Sequence, residues 1–355
     1  MSNLLLFNLA MDADDDMLAF TTTWANRLAA HYERVDVITM RAGRIAAADN
    51  VHVWSVGKEK GFSEARRTLE FYGILLRLLR ERRYRACFAH MNLHFAVLAG
   101  PILNLARVPL TLWYVHRSRH WTARVAPWFA RAVATSVPDS FPFPSRKVHA
   151  VGHAVDTDFF IPSGDGAGTL ISYVARVMPI KHHGTLIRAL ARLPDAQAVC
   201  VGGASAEYAG WQAELEALAD KLGVAGRVRF AGPQPPDSVL AAHRSAAFSV
   251  NLSPAGLFDK SALEAMACAL PTVVSNPAFL PALGADAPAL LISSPDDDAA
   301  LADKLGALLA LPADARRAMG LRLRDAVVRD FSLHSLIPRL VQLIEHGHLN
   351  ESDAP

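Results

Sequence analysis

Apolar runs and helical repeats alternate along the whole chain. Leu4–Leu9 is a nearly continuous apolar run, as a strand buried on both faces requires, and Met17–His31 carries its apolar residues at helical spacing. Further strands are predicted at Val35–Thr39, Val51–Val56, Ala86–His90, Leu110–Val115, Ala132–Thr135 and Val148–Val151. Between them, Glu64–Arg83, Ala96–Leu105 and Thr122–Arg131 read as helices. A Gly-, Ser- and Asp-rich loop, Pro162–Gly168, interrupts this pattern, which then restarts. Strands are predicted at Leu170–Val174, Ala196–Val201, Val228–Ala231, Ala247–Leu252, Thr272–Val274 and Ala289–Ile292. The intervening helices are His183–Leu193, Glu207–Leu222, Pro236–Ser245, one that carries Glu264, and Asp296–Leu311, and two more helices close the chain. Strands alternating with helices give parallel sheets covered on both faces, and right-handed crossovers make each half doubly wound. The expected fold is α/β: two Rossmann-like parallel-sheet domains facing a cleft, with ligands at the carboxyl ends of the strands. Residues 1–160 form the first domain and 161–330 the second, with the last helix, 331–355, expected to pack back on the first.

A chain of 355 residues, 52% hydrophobic and 20% charged, suits two globular domains and excludes a disordered protein. No apolar run approaches the ~18 residues of a membrane span. Met1–Ala10 lacks a basic leader and runs into Asp12, Asp14, Asp15 and Asp16, so it reads as a first strand rather than a signal peptide. Cys87, Cys200 and Cys268 lie far apart in apolar segments, which favours buried thiols and a cytoplasmic location over a disulfide frame or a metal site. Charge is unevenly spread: about +8 over the first 150 residues and about −6 over the rest. The basic residues gather at Arg77–Arg85 and at Arg117–Arg131, the second cluster interleaved with Trp113, Tyr114, Trp121, Trp128 and Phe129. Basic and aromatic residues together suit an anionic membrane surface or an anionic acceptor. No nucleic-acid-binding module accompanies them.

The chemistry concentrates in the second half. The strand Ala247–Leu252 leads through a Pro- and Gly-containing loop into the helix that carries Glu264, and a further strand, Thr272–Val274, follows. That layout aims free N–H groups and a positive dipole end at an anion, and a carboxylate such as Glu264 accepts hydrogen bonds from a vicinal diol. Together these suit a nucleotide diphosphate. Arg176 and Lys181 follow the first strand of this half on one loop, a planar fork and a point charge fit for a diphosphate. Gly202 ends the next strand. In the first half, His116 ends a strand, and the Asp12–Asp16 loop could contact acceptor hydroxyls, ligate a divalent metal or cap a helix.

Leu263-Glu264-Ala265-Met266-Ala267-Cys268-Ala269-Leu270-Pro271-Thr272-Val273-Val274 resembles the signature of glycosyltransferase family 4, the retaining GT-B enzymes, with Ala269 where that signature has glycine. Gly256 stands where the first glutamate of that signature falls, and Gly256-Leu-Phe-Asp259-Lys260 resembles a branch that reads Gly-x-x-Asp-Lys there. Arg176-Val-Met-Pro-Ile-Lys181-His182 resembles the family's Gly-Arg-x-x-x-x-Lys-Gly, with Ala175 and His182 in place of the glycines. Gly152-His-Ala-Val-Asp156 with Phe160 and Pro162 resembles its interdomain signature.

The resemblance implies a nucleotide-sugar-dependent transferase with a UDP- or GDP-sugar donor, a glycan, lipid-linked or small-molecule acceptor, no cofactor and no metal. It implies that Glu264 holds the ribose, while Arg176, Lys181 and the amides of Asp259, Lys260 and Ser261 hold the diphosphate. His116 faces the donor, and Asp259 is the expected substitute for the glutamate missing at Gly256. The contrasting reading is a non-catalytic nucleotide-sugar-binding protein of the same fold, which Gly256 keeps open.

Overall fold

The first apolar run becomes β1 (Asn3–Met11), an interior strand of a seven-stranded parallel sheet, in a computed structural model describing residues 2–15, 18–116, 118–137, 140–163 and 168–350. Its neighbours are β2 (Arg34–Ala42) and β4 (Ala86–His90), with Leu6 paired to Val37 on one side and to Phe88 on the other. Flanked on both sides and covered on both faces, β1 has Leu4, Leu5 and Phe7 fully buried, which is why it reads as a run rather than an alternation. The remaining strands are β3 (Val51–Ser55), β5 (Leu110–Trp113), β6 (Ala130–Thr135) and β7 (Val148–Ala150), in the order β3-β2-β1-β4-β5-β6-β7. Helices α1 (Phe20–Ala29), α2 (Glu64–Glu81), α3 (Leu93–Leu105) and α4 (Trp121–Phe129) connect them. Ser63 and Asn92 cap α2 and α3 by accepting the N–H of Arg66 and Phe95.

The second sheet has five parallel strands in the order β10-β9-β8-β11-β12. They are β8 (Leu170–Val174), β9 (Gln197–Val201), β10 (Val228–Phe230), β11 (Phe248–Asn251) and β12 (Thr272–Val274). Its helices are α5 (His183–Ala191), α6 (Trp211–Lys221), α7 (Pro236–Ser245), α8 (Lys260–Ala267), the short α9 (Leu280–Leu283) and α10 (Ala287–Leu290), α11 (Asp298–Ala310) and α12 (Ala313–Asp330). The last helix, α13 (Leu333–His346), belongs with the first sheet, burying Leu336, Leu340, Leu343 and Ile344. Arg131 donates to the Ile344 carbonyl at 2.6 Å, and Arg85 pairs with Glu345 at 3.3 Å.

The chain divides into two units, Met1–His153 with Leu333–Pro355, and Ala154–Ser332. The division therefore falls before the Pro162–Gly168 loop, of which residues 164–167 lie outside the described residues. Hydrogen bonds explain the earlier boundary: Val155 N–H donates to the Phe331 carbonyl at 2.9 Å, and Arg324 donates to the carbonyls of Thr157 and Phe160. These bonds fix residues 155–160 to the second unit before the polar loop begins. The strand expected at Ala289–Ile292 does not form. Pro288 starts a single helical turn there, and Leu291 makes only an isolated bridge to Val274. The single helix expected over Glu207–Leu222 is broken, with a 3₁₀ turn at Ala206–Tyr208 and α6 starting only after Gly210.

Helix α8 ends in a Schellman motif: Leu270 N–H reaches the Ala265 carbonyl at 3.1 Å and Ala269 N–H the Met266 carbonyl at 2.9 Å. Ala269 therefore takes a left-handed conformation, φ +59°, at the position where the family signature has glycine. A Cβ in that conformation costs roughly 1 kcal/mol. Ala269→Gly is accordingly expected to raise the stability of the second unit by about 0.5–1 kcal/mol, read as a higher melting temperature; a lower one would mean that the Ala269 methyl contributes more by packing than it costs in strain.

Candidate active site

The loops that follow β8 and β11 meet at the carboxyl end of the second sheet. Lys181 closes a 3₁₀ turn, Pro179–Lys181, and is buried, with only 9% of its surface exposed. Its ammonium donates to the Asp259 carboxylate at 2.6 Å and to the Ser253 hydroxyl at 2.8 Å, and Ser253 in turn donates to Asp259 at 2.9 Å. Burial alone would push the Asp259 carboxyl up; the Lys181 charge and hydrogen bonds from Lys181, Ser253 and Asn251 hold it below the usual carboxylate value. Asp259 occupies the N-cap position of α8 but makes no capping hydrogen bond. The carboxylate that the sequence offers as a sugar ligand is also the counterion of Lys181.

Beneath this cluster, Tyr173 joins the two loops. Its hydroxyl donates to the Lys181 carbonyl and accepts the Leu252 N–H at 3.4 Å. Asn251 accepts the Ser253 N–H at 3.3 Å and donates to the Ser261 hydroxyl at 3.1 Å, which fixes the first turn of α8. Sequence reading missed the roles of Tyr173, Asn251 and Ser253. Their only signal is polarity at the end of an apolar strand: all three are buried.

The other predicted residues divide by position. Arg176 is exposed and, among the described residues, makes no hydrogen bond or ion pair, so its guanidinium is available at the end of β8. Lys260 and Ser261 open α8, whose first N–H groups have no acceptor within the helix. Glu264 lies one turn further on, half-buried; burial pushes its carboxyl up to about 7, an effect that Lys260 opposes and Asp259 reinforces. Gly202, at φ +140°, packs directly on the Ala175 backbone and is part of the floor under the Arg176 loop. Gly256, at φ +88°, is the third residue of an exposed turn closed by Leu257 N–H to the Pro254 carbonyl at 3.1 Å. A positive φ at that turn position favours glycine over any residue with a carboxylate side chain.

His116 is in the other unit, exposed just after β5, where its Nδ1 accepts the Ser118 N–H at 3.0 Å. The acidic loop after β1 is paired within that unit. Asp14 binds Arg44 at 2.7 and 2.8 Å, Asp15 binds Arg41, and Asp12 accepts the N–H groups of Asp14 and Arg44, both at 3.1 Å. Helix α1 starts beyond the loop without a side-chain cap, and Asp16 lies outside the described residues. Among the described residues, no three His, Cys, Asp or Glu side chains group as a metal site.

Parallel sheets of seven and five strands, the second carrying a lysine-and-arginine loop against a helix N-terminus, define a GT-B fold. Residues 156–324 match the family model described as "Glycosyl transferases group 1". A D-inositol 3-phosphate glycosyltransferase of Mycobacterium sp. (strain JLS) is 34% identical over 148 residues, covering 39% of this chain and 34% of that protein. That of Mycobacterium avium (strain 104) is 30% identical over 183 residues, covering 49% and 43%. The chain thus spans about a third to two-fifths of the length of these curated relatives. Among solved structures, Anabaena HepE in complex with UDP and glucose superposes with a TM-score of 0.73 at 16% identity, covering 98% of this chain and 100% of that one. Sucrose-phosphate synthase from Thermosynechococcus elongatus gives 0.73 at 17% identity, covering 97% and 98%. At such identities the likeness is one of fold.

Proposed function

We propose that this protein is a retaining glycosyltransferase of the family 4 kind, which takes a UDP- or GDP-linked sugar on its second unit and passes the sugar to a glycan, lipid-linked or small-molecule acceptor. The observation that carries this reading is the Lys181–Asp259–Ser253 cluster at the N-terminus of α8, with Arg176 unpaired on the same loop as Lys181. Arg176 presents a fork to the diphosphate, Lys181 a charge held in place by Asp259, and the α8 amides a third contact. As the bond to the sugar breaks, charge grows on the leaving phosphate, and these fixed donors stabilise it. Glu264 takes the ribose diol. The matched group 1 domain and the UDP bound to HepE support this reading. The test is isothermal titration with UDP and GDP followed by donor hydrolysis; no binding of either nucleotide would overturn it.

A second reading, non-catalytic binding of a nucleotide-sugar, draws on one observation. Between Ser253 and Lys260 the only carboxylate is Asp259, and Lys181 and Ser253 occupy it. A bound donor that is never hydrolysed, with or without candidate acceptors, would favour that reading.

The raised Glu264 carboxyl gives the proposal a pH signature. A glutamate ionises at about 4.5 when unfolded and here at about 7, so the empty native state holds a proton that the unfolded state has lost. A ribose diol needs the carboxylate, so below about pH 7 nucleotide binding must expel that proton, and affinity should fall by up to about tenfold per pH unit. Glu264→Gln is expected to bind more weakly at pH 8 and to lose this slope between pH 5.5 and 7, while the titration of the nucleotide's own phosphates remains in both proteins. Parallel pH profiles for the two would remove Glu264 from the ribose site.

The first unit supports an anionic membrane surface on the acceptor side. Trp121, Arg124 and Trp128 share one face of α4, and the two tryptophans are 56% and 72% exposed. Part of the predicted basic cluster is already engaged: Arg77 stacks on Trp54, and Arg85 and Arg131 bind α13. Arg117 lies outside the described residues. No helix among the described residues is long and apolar enough to cross a membrane. Co-sedimentation with phosphatidylserine-containing vesicles is expected to fall as salt rises, each surface-facing basic residue contributing about 1 kcal/mol. Trp121→Ala/Trp128→Ala should abolish most of it, and binding that the double variant retains would exclude this face.

A further inference from the structure

A second cationic pocket lies in the same unit, at the opposite edge of the sheet from Lys181. It opens beside Ala246–Ala247, just before β11, and beside Leu270–Pro271, just before β12, so it faces the amino ends of the strands. Its cavity of about 160 Å³ is lined by Arg244, Arg316 and Arg317 together with Ser163 and Cys268, and among the described residues no Asp or Glu side chain lines it. At roughly 30 Å³ per water in the liquid, that space holds about five waters, or one tetrahedral oxyanion with a short carbon chain.

Among the described residues, none of the three arginines has a carboxylate partner. Arg316 is 8% exposed; it donates to the Gly168 carbonyl at 3.3 Å and lies 5.2 Å from the Phe248 ring centroid, while its buried Nε has no acceptor. Arg244 spends its Nε on the Ile161 carbonyl at 3.0 Å and makes no ion pair, and Arg317 makes neither a hydrogen bond nor an ion pair among the described residues. Burial pushes the Cys268 thiol up to about 12, so no thiolate balances them. A buried guanidinium with an unmet donor is costly, and three like charges around one small cavity repel. One doubly charged tetrahedral anion relieves both, because guanidinium forks match phosphate oxygens in geometry and charge.

We propose that this pocket binds the phosphate group of a small phosphorylated molecule, as a site separate from the nucleotide-binding loops. The site takes either free orthophosphate or a short phosphate monoester, and the inference stands whatever the first site binds.

The test is equilibrium dialysis with radiolabelled orthophosphate, and separately with glycerol 3-phosphate, at constant ionic strength. Wild type is compared with Arg244→Gln/Arg317→Gln, which leaves the buried Arg316 in place and is checked for an unchanged circular dichroism spectrum. The double variant is expected to lose one equivalent, or to bind it at least tenfold more weakly. Preference for orthophosphate or for glycerol 3-phosphate then tells which source the site takes. Isotherms that superimpose for the two proteins with both probes, or no binding by wild type at millimolar concentration, overturn the proposal. Binding that is lost with UDP present and also unaffected by the double variant assigns the anion to the Lys181 loops instead, which overturns it equally.

Discussion

Lys181→Met is expected to destabilise the second unit by about 3–5 kcal/mol and to abolish measurable nucleotide binding. Removing one member of a buried ion pair costs about that much, because the partner charge stays buried without compensation. Here the partner is Asp259, whose side chain is 23% exposed and receives hydrogen bonds from Lys181 at 2.6 Å and Ser253 at 2.9 Å. With Lys181 gone, burial is left as the dominant influence on Asp259, and its carboxyl moves up from its depressed value. The native contribution of a depressed carboxyl is present above its unfolded value and is lost as pH falls through the folded one. The gap between wild type and variant should therefore be widest near neutral pH and should narrow in acid, as the variant takes up a proton on Asp259. Lys181→Met/Asp259→Asn should recover part of the loss, since the unpaired charge is gone, while nucleotide binding stays absent. Scanning calorimetry from pH 5 to 8 checks the first expectation and titration calorimetry the second. A single variant as stable as wild type would mean that Asp259 finds another cation, and the pair would lose its place at the centre of the site.

The fold was legible because burial on both faces leaves a simple mark. The β1 run and the buried Ala86–His90 segment read as strands from their composition alone. Where the sheet ends, that mark fails: Ala289–Ile292 is as apolar as a strand, but beyond β12 it finds only one bridging partner, and Pro288 tips the backbone into a helical turn. The unit division falls before the polar loop because loop composition says where a chain is polar, whereas the division depends on which unit fixes the backbone, here through Phe331 and Arg324. In the site, residue identity located the groups but not their partners. Asp259 reads as free to contact a sugar, because nothing in the order of residues shows that Lys181, 78 positions earlier, reaches it. The acidic loop after β1 has the same history: its arginine partners, Arg41 and Arg44, come from the far end of β2 and the turn beyond it. Departures from the family pattern became interpretable only with backbone angles. His182 and Ala269 stand where the resembled signatures have glycine, and both take the positive φ that glycine favours, +50° and +59°.

Gly202→Ala tests how tightly the Arg176 loop depends on the floor beneath it, and it is expected to cost several kcal/mol of stability and at least tenfold in nucleotide affinity. Two effects add. At φ +140° an L side chain is strained, at about 1–3 kcal/mol. A Cβ at Gly202 would also sit 2.1 Å from the Ala175 carbonyl oxygen and 3.2 Å from the Arg176 backbone nitrogen. Backbone atoms cannot swing aside as a flexible side chain does, so either β9 or the Ala175–Arg176 segment must move, and overpacking of this kind costs about 1–3 kcal/mol more. Ala175 N–H is bound to the Val201 carbonyl at 2.9 Å and Val177 N–H to Gly203 at 3.1 Å, so the shift carries the loop with it. The neighbouring Gly203 supplies the control. Its Cβ would first meet the Pro233 ring, at 3.2 Å rather than a backbone oxygen at 2.1 Å, and its φ is not in the glycine-favoured region, so Gly203→Ala should cost far less than Gly202→Ala. If the loop positions Arg176 for a diphosphate, the two alanines must differ in nucleotide affinity as well as in melting temperature. A Gly202→Ala protein that melts early but binds UDP or GDP as wild type does would show that Arg176 holds its place without this floor, or that the diphosphate does not use it.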